Sequence, residues 1–351
     1  MDSANNLRLR ILVFLSRWYR ILRLYAKNKS LKAWGHLFRY ALKKIAGRSI
    51  PAYIDIGVTY KCQCDCVHCA AHAFLGDERE ELNTSQFKDL IDQAHSLGIL
   101  QVIFSGGEPL LREDMLELLR YAHEAGLIIR LNTNGLLLTR ERVAAIKKAG
   151  VNQVGVSIDS ADPENHNTLR QKNGVYQKVL EGLRYLREAG LNSMFLTYAS
   201  KANVESGLAE IIRLGEKQGA FGIFIFFPIA VGRWDSSFDQ VLTHEEREKV
   251  RQYHDLKRVY LELPTSRTNC CSYEELLLYV TAQGDVTPCP FVPFSLGNLK
   301  DHSLADIWQS YVDRLKLESR GFCPMNNPET REDLKRYVQN VAANLRKERE
   351  I

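Results

Sequence analysis

Apolar and polar positions along the chain follow two different periods. Short runs rich in Ile, Val, Leu and Phe predict strands that are buried on both faces. Between them, apolar residues recur every three or four positions, as in amphipathic helices that pack on a sheet. The predicted strands cover residues 53–58, 101–105, 128–132, 153–158, 193–199 and 222–227. The predicted helices cover residues 84–97, 112–125, 139–149, 175–189 and 204–218.

The order of these elements predicts an α/β fold built from βα units. Several helices end at a glycine, as at Gly98, Gly126 and Gly150, which is typical of a left-handed C-cap before the next strand. Successive βα units give parallel strands with right-handed crossovers. Six units, with no sign of a seventh or eighth, predict a partial (β/α)6 TIM-like barrel. Its functional site is expected at the carboxyl ends of the strands.

Both ends of the chain depart from this alternation of strands and helices. The first segment predicts two basic amphipathic helices that join near Asn28, and the last predicts a small extension. The expected parts are an N-terminal helical segment, a core barrel and a C-terminal extension, over residues 1–50, 51–235 and 236–351. The extension is expected to hold a charged helix, a cysteine-containing region and a polar helical tail, at 244–260, 270–323 and 329–349.

The distribution of charge sets the N-terminal segment apart. The chain has 351 residues, of which 45% are hydrophobic, and a net charge of +5, yet residues 1–48 hold 12 Lys or Arg and one acidic residue. A basic amphipathic segment suits the surface of an anionic membrane. We therefore expect a peripheral anchor on the cytoplasmic face of a membrane. Helices docked on the barrel, a transit peptide and a nucleic-acid contact are the alternatives, although no nucleic-acid partner is expected overall.

No segment of the sequence is expected to cross a bilayer. The longest unbroken apolar stretch near the N-terminus runs from Ile11 to Leu15, whereas a spanning helix needs about 20 apolar residues. The cysteines fall in two groups rather than being scattered along the chain, which favours cofactor ligation in a reducing compartment. The predicted location is therefore cytoplasmic.

Four cysteines lie within eight residues, directly after the first predicted strand: Cys62, Cys64, Cys66 and Cys69. The spacing Cys62-x3-Cys66-x2-Cys69 suits a [4Fe-4S] cluster that is held by three thiolates and leaves the fourth iron open. A zinc site would need a second ligand pair, which only the nearby histidines could provide. Disulfides between cysteines this close in sequence would be cramped.

Two further motifs follow predicted strands. In the turn Ser105-Gly106-Gly107-Glu108 the glycines let a ligand approach the backbone, and Glu108 can accept a hydrogen bond from an ammonium group. The turn comes one βα unit after Cys69, so it is expected to lie beside the open iron. The Arg170 guanidinium can clamp a carboxylate through two charge-assisted hydrogen bonds, and a solvated helix arginine is the alternative.

Together these motifs resemble those of the radical S-adenosylmethionine (radical SAM) enzymes. The resemblance spans the predicted barrel and implies that Cys62, Cys66 and Cys69 hold the cluster, with Cys64 as an additional thiol. It implies an enzyme that reductively cleaves S-adenosylmethionine and abstracts a hydrogen atom from its substrate, with an electron donor such as flavodoxin or ferredoxin. The residues it implies for S-adenosylmethionine binding are His68, Ser105, Gly106, Gly107, Glu108, Thr133, Asn134, Ser157 and Arg170.

The second cysteine group resembles the SPASM/twitch extension of this family, which holds an auxiliary iron–sulfur cluster. Its candidate ligands are Cys270, Cys271, Cys289 and Cys323. The full form of the extension carries more cysteines than this chain has, so the resemblance implies one auxiliary cluster at most. Buried structural cysteines are the alternative.

The substrate is not specified by these motifs. The basic N-terminal helices favour a lipid or a membrane-linked molecule. A peptide-modifying maturase is the first alternative, and a non-catalytic iron–sulfur scaffold or redox sensor is the second. No catalytic residue beyond the cofactors is predicted, although Tyr198, Cys64 and Cys270 are conceivable partners for a second hydrogen-atom transfer.

Overall fold

The structure is a computed structural model that describes residues 2–28, 30–261, 277–313 and 323–347. Over these residues one mixed sheet of ten strands forms the centre of the molecule, in the order β10-β9-β8-β1-β2-β3-β4-β5-β6-β7. The strands are β1 (Tyr53–Thr59), β2 (Gln101–Gly106), β3 (Ile128–Thr133), β4 (Gln153–Ser157), β5 (Asn192–Tyr198), β6 (Gly222–Phe226), β7 (Val259–Leu261), β8 (Leu277–Val280), β9 (Asp285–Thr287) and β10 (Gly297–Asn298).

Helices cover the outer face of the sheet and its two ends. They are α1 (Asp2–Lys27), α2 (Leu31–Ile45), α3 (Thr84–Leu97), α4 (Met115–Glu124), α5 (Arg140–Lys148), α6 (Pro163–Arg170), α7 (Val175–Glu188), α8 (Gly207–Lys217), α9 (His244–Arg251), α10 (Leu304–Asp313) and α11 (Pro328–Lys347). Local signals set their bounds: α3 begins with a capping box at Asn83 and ends at Gly98 in the left-handed conformation. Among the described helices, none combines the length and the hydropathy that a membrane span requires.

The six predicted strands are confirmed, and each of β1 to β5 pairs in parallel with the next strand. The prediction of a partial barrel is also confirmed, since β7 and β8 end the parallel part without pairing with each other in the described chain. The structure differs from the sequence expectation in the number of parallel strands, because β7 pairs with β6 and β8 pairs with β1. These strands have three and four residues, which is too short for a periodic signal.

The predicted helix at 244–260 ends early for a local reason. Helix α9 stops at Arg251, and the chain then turns around Asp255, whose carboxylate accepts hydrogen bonds from the backbone N–H groups of Lys257, Arg258 and Val259. Asp side chains favour such turns because they offer the backbone an acceptor outside a helix. The turn leads directly into β7.

The two N-terminal helices dock on the barrel at the end where the strands begin. Val13, Leu24 and Tyr25 of α1 and Tyr40 of α2 are almost fully buried. Lys43 of α2 donates hydrogen bonds to two backbone carbonyls at the C-terminus of α3, where the helix dipole favours a cation. The alternative of docked helices is therefore confirmed for the inner face of this pair.

The C-terminal extension continues the barrel sheet. Strand β8 joins β1, and β9 and β10 add an antiparallel edge. The buried ring of Trp308 in α10 donates a hydrogen bond from Nε1 to the Ser49 carbonyl at 3.0 Å, which ties the extension to the chain before β1. The predicted ligands Cys270 and Cys271 lie outside the described residues.

Candidate active site

A cavity of about 400 Å³ occupies the interior of the barrel, which is within the range of small-molecule sites. The cysteine loop that follows β1 bounds its upper end, where the strands finish. Arg20 of α1 and Tyr53, the first residue of β1, bound its lower end. Because side chains alternate along a strand, every second residue of the parallel strands lines this space. The cavity therefore connects the predicted cofactor motifs with the N-terminal helix.

The cysteine loop is fixed to the end of α6. The N–H groups of Asp65 and Val67 donate to the carbonyls of Arg170 and Leu169, at 3.3 and 3.0 Å. All three cysteines of the predicted cluster motif line the cavity. A loop that is held by backbone bonds on a helix end keeps its thiols at one edge of the barrel.

Two of the thiols receive hydrogen bonds. Asn134 Nδ2 lies 3.6 Å from Cys62 Sγ, and Arg170 Nη1 lies 3.5 Å from Cys66 Sγ. Interaction with the neighbouring Cys64 is the largest cause that lowers the pKa of Cys62 and of Cys66 to about 6, and the single Cys64 proton can be donated to either sulfur. Burial raises the pKa of Cys69. Two sulfurs are thus favoured as thiolates, the form that binds iron.

This donor set fits an iron–sulfur cluster. Within the described chain, no three Cys, His or carboxylate side chains converge closely enough to hold a single metal ion. A [4Fe-4S] cube does not require that convergence, because each thiolate binds a different corner. Cys62, Cys66 and Cys69 bring three sulfurs to one loop at the mouth of the cavity, as the cube requires.

The paired glycines are required by close backbone contacts. Gly106 has φ +122°, and a Cβ there would lie 2.2 Å from the Thr59 carbonyl oxygen. A Cβ on Gly107 would lie 2.4 Å from the Lys61 carbonyl oxygen. The turn is also bonded to the base of the cysteine loop, since the Gly107 N–H donates to Thr59 at 2.7 Å. Ser105, Gly106 and Gly107 consequently line the cavity beside the cysteines.

Glu108 is placed differently from its neighbours. It is fully buried, and it is not among the residues that line the cavity. Its carboxylate accepts hydrogen bonds from Thr133 Oγ1 and from the N–H groups of Asn134 and Leu110. Burial raises the pKa of Glu108 to about 7 in spite of these bonds. In this structure Glu108 joins the ends of β2 and β3, and its role as an amine ligand stays a prediction.

The remaining predicted contacts also surround the cavity. Thr133, Asn134 and Ser157 line it at the ends of β3 and β4. Asn134 also donates to Gln63 Oε1 at 3.1 Å, which links the third strand to the cysteine loop. These side chains lie where the sequence motifs predicted them, and their contacts with S-adenosylmethionine stay predictions.

Arg170 belongs to a buried charge cluster. Its Nη2 lies 2.6 Å from Asp159 Oδ2, and both side chains are almost completely buried. Burial opposes ionisation of Asp159, but the guanidinium, together with His68 and His166, holds the pKa of Asp159 below its usual value. Asp159 also lies 3.4 Å from His68 Nε2. The solvated alternative for Arg170 is wrong, because the guanidinium is inside the site.

His68 lies in an aromatic wall beside the cysteine loop. Its ring centroid is 4.9 Å from that of Tyr198 and 5.8 Å from that of Trp234. Burial lowers the pKa of His68, so the ring is neutral at physiological pH. A neutral ring in an aromatic wall suits packing against the adenine of S-adenosylmethionine, and the role of His68 in binding S-adenosylmethionine stays a prediction. The adjoining loop contacts the cysteines closely, because a Cβ on Gly232 would lie 2.2 Å from the Cys69 carbonyl oxygen.

The two described cysteines of the extension approach the same region. Cys289 is buried and is followed by Pro290 and Phe291, which line the cavity. Cys323 precedes a short turn whose Asn326 bonds to the loop after β6, accepting from the Ala230 N–H at 2.9 Å and donating to the Pro228 carbonyl at 3.0 Å. Their role as ligands stays a prediction.

Sequence reasoning missed three charged residues inside the barrel. Asp55, Arg130 and Arg20 all line the cavity and are largely buried. Ser105 Oγ donates a hydrogen bond to Asp55, and burial raises the pKa of Asp55 to about 6. A charged residue inside an otherwise apolar strand was the available signal for Asp55 and Arg130.

Comparisons with known proteins agree with these features. The radical SAM superfamily model matches residues 56–214, and the SPASM iron–sulfur cluster-binding domain matches residues 270–325. The AdoMet-dependent heme synthase of Methanosarcina barkeri (strain Fusaro / DSM 804) is 30% identical over 313 residues, which cover 80% of this chain and 89% of that protein. The chain belongs to the radical SAM superfamily.

Other relatives of this radical SAM protein carry similar names. An AdoMet-dependent heme synthase of Nitratidesulfovibrio vulgaris is 28% identical, over 72% of this chain and 77% of that protein. The Fe-coproporphyrin III synthase of Methanosarcina barkeri is 32% identical, over 56% of this chain and 51% of that protein.

Solved structures show the same fold at low identity. Streptococcus suis SuiB bound to its precursor peptide SuiA matches with a TM-score of 0.60 and 17% identity, over 76% of this chain and 67% of that chain. The structure of anSMEcpe with bound AdoMet matches with a TM-score of 0.59 and 14% identity, over 84% of this chain and all of that chain.

Family membership establishes an enzyme and its cofactors. The radical SAM domain binds a [4Fe-4S] cluster together with S-adenosylmethionine, and the SPASM domain binds auxiliary iron–sulfur clusters. The SPASM match begins at residue 270 and lies inside the predicted C-terminal extension.

Proposed function

We propose that this radical SAM enzyme acts on an iron porphyrin that carries carboxylate side chains. The observation that carries the proposal is the match to a heme synthase over 89% of that protein's length. A relative named for Fe-coproporphyrin III supports the same substrate class. The cavity supports it as well, since aromatic rings and guanidinium groups line its lower half.

The chemistry follows from comparing the two molecules in the relatives' names. Coproporphyrin III carries four propionates, whereas heme carries two propionates and two vinyl groups. Each conversion of a propionate to a vinyl group removes CO2, one proton and two electrons. We propose that one hydrogen atom leaves the propionate chain and that the carboxylate then leaves as CO2 with release of one further electron, for which an auxiliary iron–sulfur cluster held by the cysteines of the C-terminal extension would supply the acceptor. When bound, the cofactors supply the hydrogen-atom acceptor for this reaction.

The residues of this chain would position the cofactors and exclude water. Under this proposal, Cys62, Cys66 and Cys69 hold the [4Fe-4S] cluster, and the Gly106–Gly107 turn with Arg170 holds S-adenosylmethionine. The auxiliary ligands are Cys289, Cys323 and one or both of Cys270 and Cys271. The aromatic wall of His68, Tyr198 and Trp234 keeps solvent from the reacting atoms. The electron donor is proposed to be flavodoxin or ferredoxin.

The direct test is product analysis under anaerobic conditions. Reconstituted enzyme is incubated with Fe-coproporphyrin III, S-adenosylmethionine and dithionite, and 5′-deoxyadenosine and porphyrin masses are measured. We expect both 5′-deoxyadenosine and a porphyrin that has lost CO2 and two hydrogens from each converted propionate. Formation of 5′-deoxyadenosine with an unchanged porphyrin would refute the substrate class. Its complete absence would favour the iron–sulfur scaffold or redox sensor.

The same assay separates the remaining substrate candidates. A peptide-modifying maturase is favoured by one observation, the shared fold with SuiB, which was solved with its precursor peptide. None of the relatives named above is named for a lipid substrate, so the lipid or membrane-linked molecule rests on the N-terminal helices alone. Incubations with candidate peptides and extracted lipids, scored by mass change, decide between these substrates and the porphyrin.

We further propose that the outer face of the N-terminal helices rests on an anionic membrane. In the described chain, ten of the thirteen exposed large hydrophobic side chains lie on α1 and α2. They are Ile11, Phe14, Leu15, Tyr19, Leu22, Leu31, Trp34, Phe38, Leu42 and Ile45. Large apolar side chains that are exposed every three or four positions along two neighbouring helices indicate an interaction site. The excess of Lys and Arg in residues 1–48 favours an anionic surface as its partner.

Vesicle binding tests this surface without disturbing the barrel. The triple variant Leu31→Ser, Phe38→Ser, Ile45→Ser changes side chains that are 64–87% exposed. We expect wild type to sediment with phosphatidylserine vesicles and the triple variant to stay in solution. The matched control replaces Leu75, Leu111 and Leu256, which are exposed elsewhere, by Ser. Equal binding by all three proteins would refute the membrane proposal.

A further inference from the structure

Helix α1 supplies part of the wall of the barrel cavity. Val13, Ser16, Arg17 and Arg20 all line it, and Arg20 is only 7% exposed. None of these residues belongs to the motifs that predict S-adenosylmethionine binding. The helix is therefore positioned to contact a ligand that occupies the cavity.

The guanidinium of Arg20 is surrounded by rings. Its Cζ lies 5.9, 5.6 and 5.2 Å from the ring centroids of Tyr53, Phe224 and Tyr260. Its Nη2 donates a long hydrogen bond to the Tyr53 hydroxyl at 3.4 Å. Over the ranges that the structure describes, no carboxylate lies within ion-pairing distance of Arg20. A buried guanidinium with five N–H donors is best compensated by an anion.

The acidic residues of the cavity wall have other partners. Among the described lining residues, the carboxylates are those of Asp55 and Asp65. Asp55 accepts a hydrogen bond from Ser105 and interacts electrostatically with Arg130. Arg130 lies two strands away at the same height in the sheet, because Asp55 pairs with Ile103 and Ile103 pairs with Arg130. Asp65 pairs with Arg233 in the region of the cysteine loop.

We propose that Arg20 binds a carboxylate of the substrate at the lower end of the cavity. This inference rests on the proposed function, because it takes the cavity to be the substrate site. The planar guanidinium can hold a carboxylate through two parallel hydrogen bonds. Since Arg20 and the cysteine loop lie at opposite ends of β1, whose seven residues rise by roughly 20 Å, the substrate must extend along most of a strand. A large, flat polycarboxylate meets this requirement.

A pair of porphyrins that differ only in charge provides the test. Coproporphyrin III and its tetramethyl ester, both without iron, are titrated against the reconstituted holoenzyme with S-adenosylmethionine present, and binding is followed by porphyrin fluorescence. Wild type should prefer the acid, and Arg20→Met should weaken acid binding about tenfold or more while leaving the ester unchanged. Arg20→Lys keeps a cation among the rings and should bind coproporphyrin III several-fold more weakly than wild type does.

Arg23 offers a matched control on the same helix. Its guanidinium lies 3.9 Å from the Phe221 ring centroid and donates to two backbone carbonyls, and Arg23 does not line the cavity. Arg23→Met should keep the wild-type preference for the acid. If Arg20→Met and Arg23→Met both keep that preference, or if Arg20→Met loses acid and ester binding equally, the proposal is overturned.

A second probe separates this inference from the porphyrin proposal. Glutarate, a small dicarboxylate, is added to each holoenzyme at constant ionic strength, and the thermal unfolding midpoint is measured. A ligand that binds only the folded protein raises that midpoint. If wild type binds neither porphyrin, the substrate class fails, yet stabilisation by glutarate that disappears only in Arg20→Met still supports the carboxylate site. The proposed carboxylate site at Arg20 is overturned if glutarate raises the unfolding midpoint of all variants equally, or if it does not raise that of wild type.

Discussion

The guanidinium of Arg170 lies between the Asp159 carboxylate and the Cys66 sulfur, with Nη2 2.6 Å from Oδ2 and Nη1 3.5 Å from Sγ. One buried arginine thus joins the end of β4 to the cysteine loop. Because the same helix end also holds Asp65 and Val67 through backbone bonds, the position of the thiols depends on this charge pair. Stability and cofactor binding are coupled at this point.

Arg170→Met should destabilise the protein strongly. The substitution leaves the Asp159 carboxylate buried without its guanidinium, and removing one partner of a buried pair costs about 3–5 kcal/mol. We expect that loss in the free energy of urea unfolding, and partial recovery in the double variant Arg170→Met, Asp159→Asn. Arg233→Met, which breaks the more exposed pair with Asp65, should cost less than about 1 kcal/mol. Equal losses in both single variants would contradict this account.

Gly107→Ala should damage the turn beside the cysteines. The new Cβ would lie 2.4 Å from the Lys61 carbonyl oxygen, and backbone atoms must move to relieve the contact. We expect a loss of about 1–3 kcal/mol in unfolding free energy and weaker binding of S-adenosylmethionine in equilibrium dialysis. Gly35→Ala in α2 is the control, because a Cβ there has nothing within 4 Å. Gly35→Ala should be neutral or slightly stabilising. Similar losses of unfolding free energy in the two variants would contradict the requirement for glycine at position 107.

Asp55 should make the stability of the protein depend on pH. Burial raises the pKa of Asp55 in the folded protein to about 6 from its usual value of 3.8, so between these values the folded chain binds the proton more tightly than the unfolded chain. The stabilisation is complete below about pH 4 and is lost as the pH rises through about 6. Relative to wild type, Asp55→Asn should therefore gain up to about 3 kcal/mol in unfolding free energy between pH 4 and 7. A constant difference across that range would contradict the burial of an ionisable Asp55.

Asn326 should support the auxiliary cluster without affecting the first one. Its side chain bonds to the backbone at Ala230 and Pro228 and so fixes the turn that follows Cys323. In Asn326→Ala we expect the iron content to fall by the amount that the auxiliary cluster contributes, while the electron paramagnetic resonance signal of the S-adenosylmethionine-binding cluster persists. Asn340→Ala, at an exposed position of α11, should retain both. Loss of both clusters in Asn326→Ala, or of neither, would be evidence against this role.

The sequence predicted the parts of the fold that have a strong periodic signal. The strands from β1 to β6 are apolar runs bounded by glycine and polar residues, and their helices carry clear caps such as Asn83 and Gly98. The three cysteines and the glycine turn could be found because each follows a strand end in a recognisable motif, and Arg170 could be found because its motif follows β4 and ends α6. That these residues lie around one cavity could also be predicted, because the carboxyl ends of parallel strands all lie at the same edge of the barrel.

Features that depend on tertiary contacts could not be predicted. Strand β7 is only Val259–Leu261, and its place in the sheet comes from pairing with β6 rather than from its composition. Helix α1 is apolar on two faces, so its pattern did not show that one face enters the barrel. Arg20 looked like one of many basic residues in that segment, and only its position among three rings distinguishes it.

The measurement that tests the account most directly is 5′-deoxyadenosine formation by wild type and by a variant in which Cys62, Cys66 and Cys69 are all alanine. Both proteins are reconstituted with iron and sulfide without oxygen, reduced with dithionite and supplied with S-adenosylmethionine. Wild type should form 5′-deoxyadenosine and show a [4Fe-4S] signal that changes when S-adenosylmethionine binds, and the triple variant should do neither. Equal 5′-deoxyadenosine formation by the two proteins would contradict the assignment of the cluster to this loop.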